Sequence, residues 1–491
     1  MKKEEILRQV DDVIQAGTYK DTWESLCGYP VPKWYMDAKF GLFIHWGVYS
    51  VPAYDNEWYP RHMYNKDYHV NKHHVEKYGP VDKFGYKDFI PMFKGERFDP
   101  KEWVALFEES GAKYIMPVAE HHDGFQMYDS DLSKWNAKKM GPCRDIIGEI
   151  KEALQETDIV LTLSSHRAEH CWFFNFAGHS GVPSDVDDPE YEDFYGKQEN
   201  PWPFETHDIY ASPPTTEHCE DWLARCCEIV DKYQPRVFWF DWWIHSVGFE
   251  PYLRKFAAYY YNRAAEWGVG VAINYKYNSF ARGAAVYDVE RGLCDGIQPR
   301  FWQTDTSIAK NSCTYTPTNN FKDPLPLVND LIDTVSKNGC MLLNIGPKAD
   351  GTICDEEVHV LRSIGKWLKR NGEGIYGTTF WDVYGEGPND VPSGYFTDNA
   401  EPVQYTHEDF RFTYKNGAIY AFVMKWPEDG KVKIKSLKFE QPRPNTFDIK
   451  DVSLVGYAHK VSFERDLEAL HITVEGNIQT EYPVCIKITR T

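Results

Sequence analysis

From residue 99 to residue 346 the chain repeats one pattern: a stretch with apolar residues at helical spacing, then a short apolar run of strand length. Parallel strands need long crossovers, which a helix usually supplies, so this alternation predicts parallel α/β architecture. The first unit shows the signals clearly. Asp99-Pro100 offers an N-cap and a proline for the first helical position, Trp103, Leu106 and Phe107 share a face, and Ser110-Gly111 stops the helix before an apolar strand at 114–118. Ile146, Ile147, Ile150 and Leu154 precede a strand at 159–163, residues 221–230 precede 237–240, residues 250–266 precede 269–273, and residues 327–335 precede 340–345. With residues 40–44 as the opening strand, a (β/α)8-like TIM-type barrel fits better than an open sheet.

Polar residues stand where these strands end. His45, His121, His166 and Asp241 each follow an apolar run, and in such barrels the active site gathers at the strand C-termini. Asp241 is the most informative of them. The stretch Arg236-Val-Phe-Trp-Phe-Asp241-Trp-Trp delivers one carboxylate into a nest of indoles, and burying an unpaired carboxylate is costly enough to imply a chemical purpose. Aromatic walls around an acid suit sugar rings and cationic transition states. Asp241 is therefore a candidate nucleophile. A tract rich in Asp, Pro and aromatic residues, about 167 to 215, is expected to shape the mouth of the barrel.

After Gly372 the texture changes to alternating segments, with Lys415-Asn416-Gly417 marking a tight hairpin turn. The reading is a catalytic (β/α)8-like domain with an N-terminal helical extension over residues 1–378 and an antiparallel β-sandwich over 379–491.

A net charge of −20 sets the chain against phosphate backbones and argues against a nucleic-acid partner. No apolar run approaches the roughly 18 residues needed to span a bilayer, so no membrane role is expected. Met1-Lys-Lys-Glu-Glu-Ile is too charged to open a secretion signal, which makes a cytoplasmic location the expectation. The 11 cysteines include no CxxC pair and are read as reduced thiols. Homo-oligomerisation is left open.

Several separate segments together carry a family likeness. They are Lys39-Phe-Gly-Leu-Phe-Ile-His-Trp-Gly47, Glu57-Trp-Tyr59, His121-His-Asp-Gly-Phe125, Ser133-Lys-Trp-Asn136 with Arg144-Asp-Ile146, Phe238-Trp-Phe-Asp241 and Asn344-Ile-Gly-Pro347. In these the chain resembles the family 29 glycoside hydrolases, the retaining α-L-fucosidases. The resemblance implies a double displacement without a cofactor or metal, acting on terminal fucose of a fucosylated oligosaccharide or glycoconjugate, with α1,3/α1,4 selectivity open. Asp241 matches the family's nucleophile. The tract Val286-Tyr-Asp-Val-Glu290-Arg-Gly292 resembles the segment bearing the acid/base, which makes Glu290 the choice, with Asp288 and Asp305 as fallbacks. Many relatives carry a glutamate where this chain has Gln303, and a glutamine cannot donate the proton. His45, Glu57, Trp58, His121 and His122 match fucose-binding positions, and His166 stands where relatives often carry tyrosine. Trp239 and Trp302 are expected to wall the pocket. Where some relatives read Asn-Asp-Arg, this chain reads Asn274-Tyr275-Lys276, so Lys276 or Arg282 takes over the basic role.

Two other classes compete. His166-Arg-Ala-Glu169-His170 spells the H-x-x-E-H pattern of inverted zinc metallopeptidases. That motif needs a helix, and here its first histidine ends a strand. A non-catalytic fucose-binding protein on the same fold is the alternative that Gln303 favours, and Asp241 with Glu290 opposes. His73-His74 is read as surface.

Overall fold

The computed structural model describes residues 1–179, 183–199, 213–439, 447–476 and 478–490. Eight parallel strands close into a barrel: β1 (Phe40–Ile44), β2 (Tyr114–Glu120), β3 (Val160–Leu161 continued by Leu163–Ser165), β4 (Val237–Phe240), β5 (Ala272–Tyr275), β6 (Val286–Glu290), β7 (Trp302–Ser307) and β8 (Gly339–Ile345). Closure comes from β1, which pairs with β2 on one side and with β8 on the other. The expected TIM-type architecture is borne out, with one irregularity. Among the described residues no helix joins β5 to β6 or β6 to β7; turns at 276–285 and 291–301 make those crossovers.

Alternation along each strand builds the inside of the barrel. Phe43, Tyr114, Met116, Val118, Val237, Trp239, Ala272, Val286, Cys340 and Leu342 form one buried apolar cluster there. The same two-residue phase, continued towards the C-terminal ends, points His45, His166, Asp241, Lys276, Glu290, Asp305 and Asn344 into the mouth. β2 reaches it by another route. Its pairing with β3 slips between Val118 and Glu120, so Glu120 turns outward to Arg167 and Arg225 at 3.0 and 3.2 Å while His121 faces in.

The helices follow their sequence signals. α1 (Lys3–Ala16) buries Ile6, Val10 and Ile14, spaced four apart on one face. α2 (Pro100–Ser110) is capped by Asp99, whose carboxylate accepts from the Lys101 and Glu102 backbone N–H groups, and ends at Gly111 with φ 84°. α2 packs so closely on the helix Asp355–Asn371 that a Cβ at Gly365 would lie 1.8 Å from the Glu109 carbonyl oxygen. One expectation fails: His73-His74 lies in the helix His69–Tyr78, and His74 is buried, bonded to the Tyr59 hydroxyl at 2.9 Å and the Phe84 carbonyl at 2.8 Å.

Beyond the barrel, a five-stranded antiparallel sheet that starts at Thr379 faces a three-stranded sheet across a second apolar core. Asn416 and Gly417, at φ 51° and 83°, turn the predicted hairpin between Phe410–Lys415 and Ala418–Val423. The two parts are joined by buried charge. Arg411 Nε meets Asp333 Oδ1 at 2.6 Å, and Lys337 Nζ meets Asp333 Oδ2 at 2.8 Å.

Candidate active site

Lys276 stands at the centre of the mouth. Its ammonium lies 3.0 Å from Glu290 Oε2, 3.5 Å from Asp305 Oδ1 and 3.6 Å from Asp241 Oδ1. The Trp239 ring lies beneath it, 4.7 Å from the nitrogen. Burial opposes the charge, but the surrounding carboxylates of Asp305, Glu290 and Asp241 hold the lysine well above its ordinary pKa. Since both distances start from one nitrogen, the nearest oxygens of Asp241 and Glu290 are at most 6.6 Å apart, the sum of the two.

The two carboxylates are driven apart in acidity. Burial would raise Asp241, yet the Lys276 charge and then His166 and His122 hold it well below the usual carboxylate range. Its Oδ2 faces His166 Nδ1 at 3.1 Å and His122 Nε2 at 3.6 Å, and its Oδ1 accepts the Trp242 backbone N–H at 2.9 Å. Glu290 moves the other way. Burial dominates, Lys276 pulls it down, and the negative charges of Asp241 and Asp305 push it up, to about 7. A pair with one carboxylate kept ionised and one kept protonated near neutrality is an acid and nucleophile arrangement.

The opposite wall is made of imidazoles. His45 Nδ1 is fixed by Asn344 Oδ1 at 2.6 Å, and burial lowers its pKa. His121 packs on His122 and His166 with ring centres 4.1 and 4.7 Å away, and its buried Nδ1 has no hydrogen-bond partner among the described residues. Burial takes His166 down to about 3, so this ring is neutral. His122 differs. Burial lowers it, but Glu169, paired with its Nδ1, and then Asp241 raise it to about 9. Glu57 is held at the edge by the Cys313 backbone N–H at 2.8 Å and the Ser312 hydroxyl at 3.3 Å, and Trp58 packs on His122 at 5.2 Å and Phe173 at 5.5 Å. The rim thus offers fixed donors, acceptors and ring faces to a hydroxyl-rich ligand.

Ring nitrogens of His45, His121 and His166 lie within 4.8 Å of one another, as do donor atoms of His122, His166 and Asp241, a spacing that a metal ion also uses. The metallopeptidase pattern does not assemble. His170 has both ring nitrogens on carbonyl oxygens, of His122 at 2.8 Å and Phe194 at 2.9 Å, and Glu169 serves His122.

The structure therefore gathers Asp241, Glu290, His45, Glu57, Trp58, His121, His122, His166 and Trp239. Trp302 is not among them. It begins β7 in the phase opposite to Gln303 and Asp305, faces the helix layer, and donates its indole N–H to the Lys337 carbonyl at 3.0 Å. Between the two basic candidates, Lys276 occupies the centre and Arg282 lines a neighbouring cavity of about 340 Å³ with Tyr275, Tyr277, Tyr287 and Trp302. Asp305 is level with Glu290 across the β6–β7 ladder, whereas Asp288 and Gln303 pair one layer deeper. Gln303 Nε2 donates to Asp288 Oδ1 at 2.7 Å, and its carbonyl accepts from Tyr35 and Tyr114 at 2.6 and 3.0 Å. Burial, reinforced by Asp305, keeps Asp288 well above the carboxylate range. Glu169 and Asn344 are additions, each anchoring a histidine. Of the 167–215 tract, Trp172 and Phe173 pack on Trp58; residues 180–182 and 200–212 lie outside the described residues.

Comparison with known proteins gives the family. The sequence model for alpha-L-fucosidase matches residues 6–373, and that for the alpha-L-fucosidase C-terminal domain matches 399–489. The chain is 30% identical over 489 residues to the tissue alpha-L-fucosidase of Rattus norvegicus, covering 96% of this chain and 93% of that protein. It is 32% identical over 446 residues to the plasma alpha-L-fucosidase of Homo sapiens, covering 85% and 81%. Among solved structures, the Thermotoga maritima alpha-fucosidase superposes with a TM-score of 0.75 at 28% identity, over 96% of this chain and 100% of that one.

Proposed function

Because this chain belongs to the alpha-L-fucosidase family of glycoside hydrolases, we propose that it releases terminal α-L-fucose from fucosylated glycans by a retaining double displacement in which Asp241 attacks and Glu290 is the acid/base. The observation that carries this reading is the Asp241–Lys276–Glu290 arrangement. Its 6.6 Å upper bound on the nearest oxygens admits the about 5–5.5 Å separation between carboxyl groups of retaining enzymes.

In the first step the ionised Asp241 oxygen bonds to the anomeric carbon from the β face, and the glycosidic C–O bond breaks as Glu290 gives its proton to the departing oxygen. A β-linked fucosyl ester of Asp241 remains. In the second step Glu290, now a carboxylate, takes a proton from water, whose oxygen attacks the α face and expels Asp241. Lys276 balances the negative charge that passes between the two. His45, Glu57, His121 and His166 supply hydroxyl contacts, with protonated His122 beside the Asp241 oxygen.

Azide rescue tests both roles with nitrophenyl α-L-fucoside as substrate. With Asp241→Gly, azide replaces the nucleophile and β-fucosyl azide forms. With Glu290→Ala, azide replaces the water and α-fucosyl azide forms. The same azide anomer from both variants sinks the assignment, and a wild type that binds fucose without hydrolysing any fucoside leaves the binding-protein alternative.

A further inference from the structure

The leaving group must lie on the Glu290 side of Asp241, since Glu290 protonates its oxygen. Two short segments build that side. One is Tyr277, directly after Lys276. The other is residues 394–398, from the loop between the first two strands of the five-stranded sheet, Thr379–Glu386 and Phe410–Lys415. The Phe396 backbone N–H donates to the Glu290 carbonyl at 2.9 Å, and the Gly394 and Asp398 N–H groups donate to Leu293 and Arg291 at 2.8 and 2.9 Å. The Asp398 carboxylate takes Lys322 at 2.7 Å, Arg291 at 3.0 Å and the Thr306 hydroxyl at 2.7 Å. This loop is stapled to the strand ends around the acid, and it carries Tyr395.

Tyr395 stacks on Tyr277, with ring centres 5.2 Å apart and 29° between planes. Tyr277 is 37% exposed, uncommonly so for an aromatic ring beside a buried charge cluster, and it holds φ 55°, a left-handed conformation that tyrosine adopts only under constraint. Its other edge meets His245 at 5.3 Å, and His245 stacks on Trp242, the neighbour of Asp241. Burial and then the nearby Glu290 charge push the Tyr277 phenol up to about 12. A row of rings thus runs along the mouth from the nucleophile to the acid.

Resting on the fucosidase reading above, we propose that Tyr277 and Tyr395 form the leaving-group subsite, an aromatic ledge against which the sugar next to fucose lays the apolar C–H face of its pyranose ring. The barrel supplies the fucose pocket, and a loop of the sandwich completes the adjoining site.

The test compares kcat/KM for an α-L-fucosyl hexose disaccharide with kcat/KM for α-L-fucosyl fluoride, whose leaving group has no ring to stack. Tyr277→Ala and Tyr395→Ala are expected to lower the disaccharide-to-fluoride ratio about five- to ten-fold, the size of one aromatic contact. Tyr277→Phe and Tyr395→Phe, which keep the ring, are expected to stay within about two-fold of wild type on that scale. Because fluoride departs without acid help, the pH profile for the disaccharide is the second readout. An unshifted alkaline limb supports stacking, while a displaced limb shows the tyrosines acting through Glu290 and overturns the ledge. A parallel loss on both substrates, or an unchanged ratio, overturns it too. A wild type inactive on both fucosides overturns the fucosidase reading and the ledge with it.

Discussion

Removing the charge of Lys276 is the sharpest single test of the site's electrostatics. The ammonium lies 3.0 Å from Glu290 and 3.6 Å from Asp241. At 3.0 Å, the attraction to one carboxylate is about 1.4 kcal/mol in bulk water and about 5 kcal/mol at an effective dielectric constant of about 20. Each pH unit is worth about 1.4 kcal/mol, so even the weaker figure moves a carboxyl group by about one unit. Glu290 begins at about 7, and the lysine is the cation that lowers it. Its loss therefore raises Glu290 further. Asp241 moves the same way, because the same cation holds it down. In a pH series of kcat/KM for nitrophenyl α-L-fucoside, the wild type falls above about pH 7 as Glu290 loses its proton. For Lys276→Met both limbs shift to higher pH, the alkaline limb by about one unit or more. Lys276→Arg keeps the charge and holds the limbs within about half a unit of wild type. An alkaline limb that stays in place in the methionine variant, or moves to lower pH, refutes the claim that this lysine sets the acidity of the pair.

Other variants probe the supports. Glu169→Gln removes the carboxylate paired with His122, so the imidazole, now titrating at about 9, is expected to lose its proton at lower pH in an NMR titration; an unmoved titration excludes the pair as the cause. Glu290→Ala/Gln303→Glu is expected to remain as inactive as Glu290→Ala alone, because position 303 lies two residues, about 7 Å of strand, below the mouth, and recovered activity would place the acid there instead. Arg411→Ala removes one of the two cations on Asp333 in the interface between barrel and sandwich, leaving Lys337, and is expected to cost about 1.5–3 kcal/mol in denaturant unfolding, the worth of a hydrogen bond to a charged group. A loss under about 1 kcal/mol would make that ion pair incidental.

What the sequence disclosed follows from how each strand hides its polar side chains. β1, β2 and β4 carry apolar residues on both faces and read as plain hydrophobic runs, with His45, His121 and Asp241 just past their ends, and β8 holds Asn344 one residue before its end. β6 and β7 do not. Asp288 and Glu290, then Gln303 and Asp305, occupy inward positions, so the strands Val286–Glu290 and Trp302–Ser307 look like loop sequence although they are as much part of the barrel as the others. Their crossovers lack helices, which removes the second cue. Glu290 was legible only through family likeness, because the local pattern that would place it on a strand is broken by the chemistry it performs.

Trp302 and Lys276 carry the same lesson in opposite directions. Both stand in polar surroundings beside a candidate carboxylate, and composition alone cannot say which faces the substrate. Phase can. Ala272, Asn274 and Lys276 alternate inward, and Trp302 alternates outward from Gln303 and Asp305. A lysine pointing into a closed barrel must find negative partners, since burial alone would strip its proton. Three carboxylates converge on it here. The lysine in turn pulls the pKa of Asp241 and of Glu290 down. Against that pull burial lifts Glu290 to about 7 while Asp241 stays well below the carboxylate range, so near neutrality Asp241 is the ionised member and Glu290 the one with a proton to give.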